Sequence, residues 1–131
     1  MMPWLIFLFV GVFDWGFYSH ALISIESAAR VAALYGSSAS GGNVSASAIC
    51  SRVLDELKIS ANTSGISTCM ALPVIVTPSC TTTAGLNAVQ VAVTYQTLQL
   101  IPIPDLLTGQ ATLHRVVQIP MRNNNTCTAV S

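Results

Sequence analysis

The stretch Pro3-Trp4-Leu5-Ile6-Phe7-Leu8-Phe9-Val10-Gly11-Val12-Phe13-Asp14-Trp15-Gly16-Phe17-Tyr18 decides how the rest of this chain is read. Of all its aromatic side chains, only Tyr35 and Tyr95 lie outside that run. Counted on through Ile25, about 23 residues carry a single charge, enough for a helix to cross a hydrocarbon core roughly 30 Å thick. A secretory signal peptide would show a basic start, a shorter apolar core and a small-residue cleavage site. None of these is present, so the helix is expected to be retained.

The helical pattern continues through Ala21-Leu22-Ile23-Ser24-Ile25-Glu26-Ser27-Ala28-Ala29-Arg30-Val31-Ala32-Ala33-Leu34-Tyr35. Pro3 suits a first turn, where its missing N–H would be unpaired anyway, and Gly36 suits the stop. A continuous helix over residues 4–35 is predicted, near 50 Å long at about 1.5 Å per residue. Its first two thirds are expected to contact other copies of the chain, because no other segment offers an apolar surface of similar size. Glu26 and Arg30 stand four apart in the favourable order, and an exposed pair of that kind contributes only tenths of a kcal/mol.

The 131 residues fit one domain with a long helix attached, and exclude two full domains. Hydrophobic residues make up 52% and charged residues 8%, against roughly 25% charged in an ordinary soluble domain. Five basic residues balance five acidic ones, so the cationic field that holds nucleic acid is missing. Three regions follow: the helix over residues 1–36, a linker over 37–44 containing Ser37-Ser38-Ala39-Ser40-Gly41-Gly42, and an exported domain over 45–131.

That domain holds Cys50, Cys69, Cys80 and Cys127, spaced too widely for CxxC motifs, and an even count behind a membrane segment favours disulfides over a zinc site. Residues 45–58 read as a short amphipathic helix capped by Ser45 or Ser47, with Ala48, Ile49, Val53, Leu54 and Leu57 on the face expected to lie on a sheet. Strands are predicted at residues 66–70, 74–80, 88–100 and 111–121. The third is best marked, because Val89, Val91, Val93 and Tyr95 alternate with polar or small residues. The fold class is therefore α+β, with a small antiparallel sheet. Residues 101–109, with Pro102 and Pro104, form a longer apolar connection that either folds back on the sheet or touches a partner.

Four cysteines allow three pairings. Cys69 and Cys80 end successive strand candidates, with Pro73 and Pro78 between them, and are expected to face each other. Cys50 would then pair with Cys127 and tie down the polar tail.

Catalytic patterns are missing: no GxSxG turn, HExxH or GxGxxG occurs. Asp55 and Glu56 are adjacent on a helix and point about 100° apart, which makes no acid–base pair. His20 and His114 belong to the long helix and a strand. No enzyme activity, metal or cofactor is expected. Three Asn-x-Ser/Thr triplets begin at Asn43, Asn62 and Asn124, as chance produces in a chain rich in these residues.

Asp14 asks for an explanation, since an ionised carboxylate in hydrocarbon costs several kcal/mol. It is either protonated and bonded within its own helix, or paired with a cation such as the N-terminal amine of a neighbouring chain.

The aliphatic and aromatic run after Pro3, Gly11, Phe13-Asp14-Trp15-Gly16, Tyr18, Ala21 and Ala28-Ala29-Arg30-Val31-Ala32 resemble the N-terminal signature of TadE-like pseudopilins, the type IV pilin-related proteins of tight-adherence pilus systems. The resemblance is close over residues 1–35 and looser in the strands, the proline-containing connection and the end near Met121-Arg122. Family members carry a leader and a Glu-Phe pair before the proline. Met1-Met2 stand there instead, leaving Asp14 as the acid able to play the equivalent role.

The resemblance implies a pilin subunit that waits in the inner membrane, is handled by pilus assembly machinery and joins copies of itself in a surface filament. Assembly contacts are expected from Met1, Pro3, Trp4, Phe7, Phe13, Asp14 and Gly16, and further along from Glu26 and Arg30. Burying roughly 1,000 Å² of apolar surface per helix at ~25 cal/mol/Å² gives on the order of 25 kcal/mol before entropy costs. Two other readings stand beside this one: a low-copy priming or tip pseudopilin, and a membrane-anchored secreted binding domain or enzyme.

Overall fold

A computed structural model describes residues 2–38, 43–59, 63–97, 112–121 and 126–130. Its elements are α1 (Met2–Ser37), β1 (Asn43–Ser45), α2 (Ala46–Leu57), β2 (Met70–Ala71), β3 (Val74–Thr83), β4 (Leu86–Gln96), β5 (Thr112–Pro120) and β6 (Thr128–Val130). This is an α+β fold: a four-stranded antiparallel sheet in the order β2-β3-β4-β5, with a separate parallel pair of β1 and β6.

The inner face of the sheet follows from period two. Val89, Val91, Val93 and Tyr95 of β4 are buried, as are Val74 of β3 and Leu113 of β5. Against this face lies the last third of α1, whose buried residues are Ile25, Ala28, Ala29, Ala32, Ala33 and Gly36. Small side chains at helical spacing let the helix axis come close to a valine-rich sheet. Gly36 marks a close approach, where an added Cβ would lie 3.0 Å from Val89 Cγ1 and 3.5 Å from Ile49 Cδ1.

The sheet's inner face is thus already covered by α1, and this corrects the expected place of α2. Its buried residues Ile49, Val53 and Leu57 form a narrow stripe that packs chiefly along α1, with a smaller contact to β3. The Arg52 guanidinium lies 5.3 Å from the centre of the Tyr35 ring across the same junction. Ser45 holds the N-cap position without a capping side-chain bond; its Oγ is 3.0 Å from Ser47 Oγ. Beyond the C-terminal end, the buried Thr63 hydroxyl donates to the Leu57 carbonyl.

Three strand expectations hold as β3, β4 and β5, residues 98–100 and 111 of the expected spans lying outside the described residues, and the first shrinks to Met70–Ala71. Pro78 does not interrupt the path. It pairs in register with Val91 inside β3, where β2 no longer lines the outer edge and no N–H is required. The β3–β4 turn has Thr83 opposite Leu86, with Ala84 at φ 52° and Gly85 at φ 80°, the two positive values that a type I′ hairpin demands. The peptide Leu72–Pro73 between β2 and β3 is cis.

All four cysteines form disulfides, but the expected partners are exchanged. Cys50 joins Cys69 at a Cα separation of 5.8 Å, and Cys80 joins Cys127 at 5.7 Å. The Val76 N–H donates to the Cys69 carbonyl, which puts Cys69 beside the start of β3. Cys80 lies four residues further along that strand, about 13 Å away at 3.3 Å per residue, beyond the reach of Cys69. The tail is tethered as anticipated, though to the sheet rather than to α2, and β6 pairs with β1 through the register Asn43 to Thr128. Residues 39–42 of the linker, and the connection over 101–109, lie outside the described residues.

Candidate functional site: the exposed half of the long helix

The helix α1 changes character near Ile25. One face of its last third is core, whereas most large apolar side chains before Leu22 stand in the open, with Trp4 67%, Phe9 73% and Trp15 72% exposed. Apolar residues surround the helix here rather than forming one stripe, the pattern of a segment covered on all sides by lipid or by other chains. The 36-residue helix is long and apolar enough to cross a membrane, and its exposure separates it from the buried core helix of a soluble domain.

Phe9, Phe13 and Phe17 line up along this half, with ring centroids 6.3 Å and 5.0 Å apart, and Trp15 lies 6.3 Å from Tyr18. These i,i+3 and i,i+4 contacts stiffen the rod without covering it. Pro3, Trp4, Phe7, Phe13 and Gly16 all lie exposed on this half, and Asp14 is half-buried among the neighbouring side chains. Met1 is outside the described residues. Among the described residues, the side chains of Asp14 and His20 make no hydrogen bond or ion pair.

Glu26 and Arg30 do meet, at 2.7 Å, but in the last third of α1, away from the apolar rod. They flank an open groove between α1 and the edge strand β5, shared with Arg115 and residues 116–119. The residues expected to make assembly contacts therefore fall into two places, the apolar rod and this polar shoulder. On α2, the Lys58 ammonium bonded to the Asp55 carboxylate holds that carboxyl below its ordinary range. Both side chains are exposed, and their role is that of a solvated helix face.

The fusion of α1 to the domain core escaped the sequence reading, although Ala28, Ala29, Ala32, Ala33 and Gly36 carried its signal as small residues at helical spacing. Asn43, the start of one Asn-x-Ser triplet, sits in β1 and accepts a hydrogen bond from the Thr128 hydroxyl at 2.7 Å. Among the described residues, no group of three His, Cys, Asp or Glu side chains is placed to hold a metal ion. No family model, no curated protein and no solved structure matches the chain.

Proposed function

We propose that this chain is a structural subunit of an extracellular pilus-like filament, held in the inner membrane by α1 before assembly and joined to other copies afterwards through the same helix surface. The observation that carries this reading is the division of α1. Its last third is locked into the β domain, and its first two thirds project as a bare apolar rod with no break between them. A simple anchor needs only an apolar span of about 20 residues. A rod rigidly continuous with its domain fixes the angle at which each domain is presented, which suits repeated packing of identical units. The resemblance to TadE-like pseudopilins supports the same conclusion, and with it a role for pilus assembly machinery in extracting the chain from the membrane.

Mass spectrometry of filaments sheared from the cell surface tests the proposal. The chain is expected as their dominant protein. Trace amounts would make it a priming or tip subunit, which uses the same helix at low copy number. Its retention in the membrane with none in the filaments would contradict the proposal.

A further inference from the structure

In its exposed half, α1 carries one acid, Asp14, and one base, His20; the next basic residue is Arg30, inside the β-domain part. The two stand six positions apart, which places them about 9 Å apart along the axis and about 120° apart around it. At that spacing they cannot reach each other within one helix, and the side chains of both are unpartnered among the described residues. Left in an apolar surround, an unpaired carboxylate is costly.

A second feature of the same half has no purpose in a single copy. Gly11 and Gly16 weaken the helix relative to alanine, and a Cβ added at either would meet nothing within 4 Å. Gly36 is different, because the chain's own valine requires it. Gly11 lies three residues before Asp14 and Gly16 four before His20, so each of these two polar positions has a bare backbone patch one turn away. Bare patches of this kind let helices approach closely in an apolar medium.

We propose that Asp14 of one copy accepts a hydrogen bond from the His20 imidazole of a neighbouring parallel copy, displaced by six residues or about 9 Å along the axis, with Gly11 and Gly16 admitting the close approach. The inference rests on the filament reading above and adds the register between its subunits. The same displacement sets Phe13 against Phe7. Phe7 lies seven residues before Asp14 and Phe13 seven before His20, two turns away on the same faces. An antiparallel pairing would also join Asp14 to His20, but it would put the two β domains on opposite sides of a membrane.

The test uses the full chain in its own membrane. Asp14→His or His20→Asp alone is expected to lower the yield of cross-linked oligomers about tenfold, the range of one polar contact between membrane helices. The double variant Asp14→His with His20→Asp is expected to recover most of that loss. Register is read separately with Phe7→Cys plus Phe13→Cys, charges intact. The native cysteines are all in disulfides, so the two new thiols are the only ones free to react. A link between Phe7→Cys of one chain and Phe13→Cys of the next is expected, with neither single variant linking to itself. Self-linking by Phe7→Cys alone, or a double charge variant no better than the singles, would overturn the register while leaving assembly standing. A wild-type chain that forms no cross-linked oligomers would remove the filament reading and the register together.

Discussion

A Cβ on Gly36 would stand 3.0 Å from Val89 Cγ1, so the long helix and the central strand approach here more closely than a side chain would ordinarily permit. That contact joins the rod to the sheet. Gly36→Val is expected to destabilise the β domain by about 1–3 kcal/mol through overpacking, while Gly11→Ala leaves it unchanged. Thermal unfolding of the full chain in detergent distinguishes the two positions. An equal response from both would mean that Gly36 is not confined.

Asp14 lies along the rod, away from the sheet, so its effect should be on assembly alone. Asp14→Ala is expected to leave domain unfolding where it was and to reduce filament yield. Filaments at normal yield would show that the carboxylate is merely tolerated.

How much could be read beforehand depended on range in sequence. The helix and the strand containing Val89, Val91, Val93 and Tyr95 were legible because their periodicities are local. The pairing of Asn43 with Thr128 was not, because β1 and β6 are three residues each and lie at opposite ends of the domain. The cysteine partners were missed for a related reason. Their choice depends on how far along β3 the short β2 ladder reaches, and spacing alone does not contain that length. The exposed stretch from Pro3 to Gly16 was legible as an apolar run, but that the rod is fixed to its domain emerges only from packing at Gly36.

Non-reducing peptide mapping should recover Cys50 with Cys69 and Cys80 with Cys127. These bridges span 19 and 47 residues of sequence. In the loop-entropy model they restrict the unfolded chain by about 3 and about 4 kcal/mol. Removing Cys80 and Cys127 together should therefore lower the unfolding temperature more than removing Cys50 and Cys69. The reverse order would indicate that the tail contributes little to the fold.

Ala84 holds φ 52° in the β3–β4 turn, a conformation that costs an alanine about 1 kcal/mol or more. Ala84→Asn creates the Asn-Gly pair favoured in type I′ turns. A gain of about 0.5–1 kcal/mol is expected, a rise of a few degrees in unfolding temperature. A lower unfolding temperature would contradict the turn geometry.

The tryptophans of the chain are Trp4 and Trp15, both on the bare part of the rod, so their fluorescence reports on that surface and nothing else. Iodide quenching of intact filaments sheared from the cell surface is the most direct test of whether other copies cover the rod. We expect blue-shifted emission and almost no quenching by aqueous iodide. Red-shifted emission, quenched as readily as free tryptophan, would mean that the helix half remains exposed and does not form the filament core.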